Sequence, residues 1–347
     1  MENEVEVILF GLGPMGRLIA KCILEKKGLR VVGAVDVAKD IVGKDLGEIL
    51  ELDQNFGITI TDNAEGLISR IKADIAVIAT SSCLKDVYPQ IALCVKAGIN
   101  VISTCEELSY PYYKYPALSC EIDELAKKYG ATVLGTGINP GYLMDALPIV
   151  LTGPCQCVGS IKVTRMMNSS TRRIPYQKKI GTGLTSEEFR KMIEEKKITG
   201  HVGLVESIAM IAAALGWQLD EIKEFPPAPV IAEKEIVTSF TTVKPGYVAG
   251  LESVAHGIRN GKPVIVLEFV SHAAVEEEYD AVSIEGVPKI YEKIAGGVHG
   301  DLGTVAMVVN MIPKVLNARP GLFTMKDLPV PSAVTEDLRV YLGCKKP

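Results

Sequence analysis

Along the first 140 residues, short apolar runs at 5–10, 31–36, 58–61, 73–80, 100–105 and 131–136 recur between stretches of mixed polarity. The runs are apolar without strict alternation, the pattern of strands covered on both faces. Segments between them, such as 15–26 and 115–129, repeat apolar residues at helical spacing. Strand and helix alternating in this way predict an open, doubly wound parallel sheet.

After about residue 141 the pattern changes. Segments 158–168, 229–242, 247–258, 263–273 and 278–285 are β-rich, and several alternate apolar with polar positions, as strands with one solvated face do. Gly261-Lys262 and Pro245-Gly246 read as turns between neighbouring antiparallel strands. A helical run at 203–215 interrupts the strands, and the polar stretch 181–197 predicts a mobile loop leading into a short surface helix. From 297 to 316 one long helix is expected, within a C-terminal segment (297–347) that packs back on the N-terminal domain.

At 347 residues the chain is long enough for two domains, each burying its own core. The expected division is a parallel-sheet domain over 1–141 and an α+β substrate or dimerisation domain over 142–296, built on a mostly antiparallel sheet. One face of that second sheet would cover a bound ligand or form a homodimer interface. A formal net charge of −5 argues against a nucleic-acid or membrane-surface partner. No apolar run approaches membrane-spanning length, and the chain enters a strand almost at once, leaving no room for a signal peptide; the cytoplasm is expected. The eight cysteines (Cys22, Cys83, Cys94, Cys105, Cys120, Cys155, Cys157 and Cys344) include no C-x-x-C and have few histidines nearby, so no metal site is expected. They read as reduced thiols, with Cys155-Gln-Cys157 the one spacing that would suit a redox pair.

Candidate chemistry concentrates at the ends of the predicted parallel strands. The first strand runs into Gly11-Leu-Gly-Pro-Met-Gly16, a helix follows, and the second strand ends at Asp36. Strand, G-x-G-x-x-G turn, helix, strand and acid in that order form the dinucleotide fingerprint in its full context, and they make the first domain a Rossmann domain. Gly11 permits the turn, Gly13 lets the backbone approach a pyrophosphate, and Gly16 lets the helix pack on the strand, with Pro14 and Met15 at the helix start facing the phosphates. Asp36 stands where a carboxylate accepts hydrogen bonds from the adenosine ribose. It favours NAD, while Lys39 and Lys44 would soften its repulsion of a 2′-phosphate, so NAD or NADP is the expected cofactor.

In an open parallel sheet, ligands bind beyond the carboxyl ends of the strands. Ala79-Thr80-Ser81-Ser82 follows the fourth run, with small residues that would let the nicotinamide ribose pass. Thr104-Cys105-Glu106-Glu107 follows the fifth, and Thr136-Gly-Ile-Asn139-Pro-Gly141-Tyr142 follows the sixth. Glu106 and Glu107 are the catalytic candidates: a carboxylate there would bind an ammonium group or act as a general base. Strand alternation would send them to opposite sides, with Glu106 the better placed; both capping the next helix is the bland alternative. Thr104 and Asn139 are further cofactor contacts, with Asn139, Gly141 and Tyr142 also facing substrate. Later in the chain, His201 at a helix start, His299 before the last helix, and Arg165 are substrate candidates; Arg172 and Arg173 are weaker ones, and His256 and His272 read as structural. Neither a P-loop, nor G-x-S-x-G, nor H-E-x-x-H occurs, which removes support for phosphoryl transfer, serine hydrolysis and metalloprotease chemistry.

The chain resembles the 2,4-diaminopentanoate dehydrogenases and related native amine dehydrogenases, within the wider group that has dihydrodipicolinate reductase-like Rossmann domains. The resemblance runs through nearly the whole chain. It rests on the glycine turn, Ile41-Val-Gly-Lys-Asp-Leu-Gly47, Ser103-Thr-Cys-Glu-Glu-Leu108, Thr136-Gly-Ile-Asn-Pro-Gly141, Gly200-His-Val-Gly-Leu-Val-Glu-Ser207 and His299-Gly-Asp-Leu-Gly-Thr304. It implies NAD(P)-dependent oxidative deamination: an amine carbon loses hydride to the nicotinamide, and water hydrolyses the imine to a ketone and ammonia. For 2,4-diaminopentanoate the product would be 2-amino-4-oxopentanoate, a step in ornithine degradation, with the family's catalytic glutamate falling on the Glu106-Glu107 pair. A reductase of a cyclic imine, an amine dehydrogenase for simple amines and a non-catalytic dinucleotide sensor are the competing readings. The chain lacks the adjacent histidine pair of dihydrodipicolinate reductases, and Glu106 stands where homoserine dehydrogenases place a lysine.

Overall fold

A computed structural model describes residues 4–343; Cys344 and the end of the predicted 297–347 segment lie outside the described residues. The chain divides into two compact units, Met1–Tyr142 with Gly300–Pro347, and Leu143–His299. In the first unit the order is β1 (Val5–Phe10), α1 (Pro14–Glu25), β2 (Leu29–Val35), two short helices α2 (Leu46–Ile49) and α3 (Ala64–Ile68), β3 (Ile75–Ile78), α4 (Leu84–Lys96), β4 (Asn100–Ser103), a 3-10 turn (Glu106–Leu108), α5 (Pro116–Tyr129) and β5 (Thr132–Gly135). The second unit contributes α6 (Ala146–Leu151), β6 (Cys157–Asn168), α7 (Ile174–Lys179), α8 (Ser186–Glu194), α9 (Leu204–Ala214), β7 (Glu221–Glu224), β8 (Ala228–Ile231), β9 (Ile236–Val237), β10 (Thr242–Val243), β11 (Val248–Arg259), β12 (Lys262–His272), β13 (Tyr279–Val287) and β14 (Ile290–Ala295). The chain then returns to the first unit as α10 (Gly300–Asn317), β15 (Gly321–Phe323) and a final 3-10 turn (Leu338–Tyr341).

The first unit is built on a six-stranded sheet of order β15-β5-β4-β3-β1-β2, parallel throughout. Its strands are apolar on both faces because helices cover both. Ile8, Ala76, Ile78, Val101 and Val133 pack with Leu84, Val87, Ile91 and Val95 of α4 and with Ile122 and Ala126 of α5. Each fully buried Val, Leu or Ile side chain among them contributes about 1.5–3 kcal/mol. Helix α1 begins with Pro14, whose fixed φ suits the first helical position. It buries Gly16, Ile19, Ala20 and Ile23, one stripe at helical spacing. Helix α5 stops at Gly130, whose φ of +74° caps the helix while its N–H donates to Ala126 O. The chain leaves β1 towards β2 on one side and places β3 on the other, so the strand order reverses between β1 and β3. A crevice opens at such a reversal.

Two details of the first unit differ from the sequence reading. Segment 58–61 is not a ladder strand: it makes single bridges, Thr61 to Val35 and Thr59 to Asp45. The Asp45 carboxylate holds it there, accepting the N–H of Gly47 (2.8 Å), Phe56 (3.1 Å) and Ile58 (3.0 Å). The sixth strand is instead β15, paired with β5, beyond the predicted last helix. That helix spans Gly300–Asn317, and the described remainder of the C-terminal segment is not helical apart from the 3-10 turn.

The second unit carries a seven-stranded sheet of order β14-β13-β6-β12-β11-β7, with β8 also pairing β11. All its pairs are antiparallel except β6 with β12. Helix α9, apolar nearly all round, packs on β7, β11 and β12, burying Leu204, Ile208, Met210 and Ile211. The β11–β12 turn sits one residue earlier than expected, at Asn260-Gly261 with φ of +52° and +69°, because Arg259 already pairs with Lys262. Positive φ at both central residues matches the right-handed twist of a hairpin. Pro245-Gly246 does not join neighbouring strands: β10 pairs only β9, in a separate two-stranded sheet, while β11 belongs to the large one. Within 181–197, α8 starts on a reciprocal capping box between Thr185 and Glu188. The short strands β7 and β14 and the short helices α6 and α7 were not visible in the hydrophobic pattern.

Candidate active site

The glycine turn is shaped by close approaches that only glycine allows. Gly11 has φ of +86°, and a Cβ there would lie 2.6 Å from Ala79 O at the end of β3. A Cβ on Gly16 would lie 1.9 Å from Gly11 O. Around Gly13 the space is open: nothing stands within 4 Å of a Cβ built on it. Gly13 is also the N-cap of α1 and has no side chain to occupy the first-turn N–H groups. Open space beside uncapped helix donors fits a pyrophosphate, so Gly11, Gly13, Pro14 and Met15 form a cradle that would hold a dinucleotide. Arg17 Nε donates to Leu12 O at 2.8 Å and steadies the turn. Asp36 follows β2, and its carboxylate accepts Leu12 N–H at 2.6 Å and Ala38 N–H at 2.9 Å. Of the two lysines near Asp36, Lys44 pairs with Glu48 at 3.0 Å and Lys39 is exposed.

Beyond the ends of β3, β4 and β5, the first unit opens a cleft of about 280 Å³. Met15, Ala79, Thr80, Ser81, Thr104, Glu106 and Asn139, all named from sequence, line it together. Ser82, Gly137, Pro140 and Thr304 complete the lining. Thr304 was not singled out as a site residue. It sits in the first turns of α10, and its Oγ accepts Ile138 N–H at 3.3 Å. The returning helix delivers it, and only the His299–Thr304 motif could have hinted at it. A larger cleft of about 1010 Å³ lies at the opposite ends of the strands, beside Val5, Asp74 and Ile99. Ligands of open parallel sheets bind at the carboxyl ends, so the smaller cleft is the candidate site.

The two glutamates occupy different environments. They lie in a 3-10 turn rather than on a strand, so strand alternation does not set their directions. Glu106 lines the cleft. Glu107 is 8% exposed, and its carboxylate accepts Leu84 N–H at 2.8 Å, Lys114 Nζ at 3.0 Å and Tyr115 OH at 3.0 Å. Burial alone would raise its pKa, but these three donors outweigh it and hold the carboxyl below the usual range. Its own burial, with the hydrogen bond to Glu107 adding, pushes Tyr115 up to about 12.

Gly141, with φ of +122°, packs so closely that a Cβ would lie 2.5 Å from Gly137 N; Tyr142 follows it, partly exposed. Arg165, His201 and His299 belong to the second unit. Arg165 is 2% exposed; its Nη2 donates to Val298 O at 2.5 Å and its Nε stands 3.7 Å from Asp280. Asp280 also accepts Val298 N–H at 2.8 Å. Burial works against both charges, lowering the pKa of the arginine and raising that of the aspartate, while each favours the other's charged form. The His201 ring stacks on Phe269 at 4.3 Å, and burial, with Arg165 and Lys179 adding, pushes its pKa down to about 3. His299 Nε2 lies 3.3 Å from Arg172 Nη1.

The model of the 2,4-diaminopentanoate dehydrogenase C-terminal domain matches residues 142–343, and that of the dihydrodipicolinate reductase N-terminus matches residues 5–106. A 2,4-diaminopentanoate dehydrogenase of Acetoanaerobium sticklandii is 38% identical over 342 residues, 97% of each chain. An amine dehydrogenase of Streptomyces virginiae is 24% identical over 95% of this chain and 98% of its own. The solved amine dehydrogenase of Mycobacterium smegmatis superposes with a TM-score of 0.82 at 27% identity, over 96% of this chain and 99% of that one. The chain therefore belongs to the 2,4-diaminopentanoate dehydrogenase family and is an NAD- or NADP-dependent oxidoreductase.

Proposed function

We propose that the enzyme oxidatively deaminates 2,4-diaminopentanoate to 2-amino-4-oxopentanoate and ammonia, with Glu106 as its general base. The observation that carries this reading is that Glu106 is the one carboxylate among the described residues lining the cleft beside the glycine turn. The bound nicotinamide supplies the hydride acceptor. Glu106 holds the substrate ammonium and takes one of its protons. The freed nitrogen lone pair then drives hydride off the amine carbon, leaving an iminium. Glu106 releases that proton to solvent, then accepts a proton from the water that attacks the iminium carbon and returns it to the nitrogen, so that the carbinolamine collapses to the ketone and ammonia. A carboxylate suits this sequence because it attracts the cation first and accepts its proton second.

Asn139, Thr104 and the small residues Ala79, Thr80 and Ser81 are proposed to flank the cofactor, and Asp36 to meet its ribose. Arg165 is our candidate for the substrate carboxylate, supported by a buried guanidinium whose Nη1 has no hydrogen-bond partner; His201, His299, Gly141 and Tyr142 are the further substrate candidates. The likeness to amine dehydrogenases over nearly whole chains favours one second reading, a simple amine as substrate. We also propose a cytoplasmic homodimer, joined through the sheet face of the second unit that carries partly exposed Val254, Val266 and Met166. Sedimentation equilibrium tests the dimer.

The deciding experiment follows NAD(P)H absorbance with 2,4-diaminopentanoate for the wild type and Glu106→Gln. Turnover that falls about 10²–10⁴-fold in the variant, with cofactor binding retained, supports the reading. Wild-type turnover with simple amines but none with the diamino acid overturns the substrate assignment.

A further inference from the structure

We infer that Glu107 is a positioning residue, whose carboxylate clamps the 3-10 turn to the start of α4 and to the 114–115 segment and so aims Glu106 into the cleft. The inference rests on the role proposed for Glu106. Its first support is connectivity. One oxygen of Glu107 accepts the N–H of Leu84, the first residue of α4, at 2.8 Å, and the other accepts Lys114 Nζ and Tyr115 OH, each at 3.0 Å. The Glu107 N–H donates to Ser82 O at 3.3 Å, and Cys105 Sγ donates to the same oxygen at 3.2 Å. Ser82 and Glu106 both line the cleft. One buried side chain with its own amide thus ties the wall after β3 to the wall after β4.

The second support is direction. Consecutive residues of a 3-10 turn project about 120° apart. A turn whose Glu107 is held inward by three donors therefore turns Glu106 elsewhere, and here that is the cleft. Glu107 itself is too enclosed to meet a substrate. The third support is chemical: three donors converge on two carboxylate oxygens. A glutamine has one acceptor oxygen, and its NH₂ would face a donor, so it cannot keep all three contacts. An aspartate is one methylene shorter and cannot reach α4 and Tyr115 together.

The test is a double-substitution cycle on the full-length enzyme, with 2,4-diaminopentanoate and its preferred nicotinamide cofactor, read by steady-state and single-turnover absorbance. Glu107→Gln is expected to lower kcat by about 10–100-fold, the scale on which a displaced catalytic group loses rate, while cofactor Kd stays within about twofold. Glu106→Gln/Glu107→Gln is expected to be no slower than Glu106→Gln alone, since a residue acting only through Glu106 has nothing left to position. Losses that add in the double variant, or a Glu107→Gln defect confined to cofactor binding, overturn the proposal. Should Glu106→Gln keep wild-type turnover, the reading of Glu106 fails directly and the clamp falls with it, a result distinct from additivity. If Glu107→Gln does not fold, Tyr115→Phe removes a single hydrogen bond. A several-fold lower kcat at unchanged cofactor Kd then supports the clamp, and an unchanged kcat overturns it.

Discussion

Asp36, just after β2, accepts the amide N–H of Leu12 in the glycine turn at 2.6 Å, so the residue proposed to meet the ribose and the turn proposed to hold the phosphates share one hydrogen bond. The second carboxylate oxygen is set by Ala38 N–H at 2.9 Å. The negative charge is fixed in place before any ligand arrives. Asp36→Ala is expected to weaken NAD binding by about tenfold, the worth of one charge-assisted hydrogen bond and part of the turn's order, and to weaken NADP binding less, since removing the charge also relieves repulsion of a 2′-phosphate. Titration of both cofactors by fluorescence checks this; equal losses would mean that the carboxylate only braces the turn.

The glycines of the turn should separate folding from binding. Gly16→Ala places a methyl 1.9 Å from Gly11 O, so the helix must shift, and thermal unfolding is expected to drop by several degrees. Gly13→Ala meets nothing within 4 Å. It should leave the melting temperature nearly unchanged yet weaken cofactor binding, since the methyl would enter the space proposed for the pyrophosphate. A Gly13→Ala protein that melts early but binds normally would contradict the assignment of that space.

His201 makes the second unit sensitive to acid. Burial pushes its folded pKa down to about 3 from an ordinary 6.5, so below pH 6.5 the unfolded chain takes up a proton that the folded one refuses. The contribution is complete above pH 6.5 and is lost as pH falls towards 3, by at most about 1.4 kcal/mol per pH unit. Denaturant unfolding between pH 7.5 and 5 should therefore be steeper in pH for the wild type than for His201→Phe, which retains an aromatic ring against Phe269. Parallel pH profiles would exclude this group as the cause.

The buried pair Arg165 and Asp280 should punish the loss of one partner. Asp280→Ala leaves a guanidinium that is 2% exposed without its counter-charge and removes the acceptor of Val298 N–H. A loss of about 3–5 kcal/mol is expected in equilibrium unfolding. Asp280→Asn, which keeps an acceptor oxygen, should cost less than Asp280→Ala. Equal costs would show that hydrogen bonding to Val298 is not part of the effect.

Much of the candidate site was legible in the residues because its physics is largely local. A tight turn with φ of +86° at Gly11, a helix packed on Gly16 and an acid after the next strand all lie within the first 36 positions, with Ala79 and Thr80 the later residues that crowd the turn. The strand-end rule then gathered Ala79, Thr80, Ser81, Thr104, Glu106 and Asn139, since parallel strands of one sheet present their carboxyl ends together. The rule did not reach Thr304, which another part of the chain carries in, and although it favoured Glu106 over Glu107 it did so on strand alternation, which does not operate in the 3-10 turn they occupy. Glu-Glu has no periodicity to read; Lys114, Tyr115 and Leu84 N–H distinguish its members, and they meet Glu107 only after α4 and the 110–115 segment fold around it.

By itself, the sequence determined the alternation of strands and helices, the glycine turn and the change from parallel to mostly antiparallel architecture, because hydrophobic period and backbone sterics act over a few residues. Tertiary structure alone decided that three residues, Gly321–Phe323, complete the first sheet beside β5, that β6 runs parallel to β12, and that Glu106 rather than Glu107 lines the cleft. Such outcomes depend on pairings between residues about a hundred or more positions apart, and on which buried donors a carboxylate finds. Short strands and neighbouring like residues carry too little local preference to specify either.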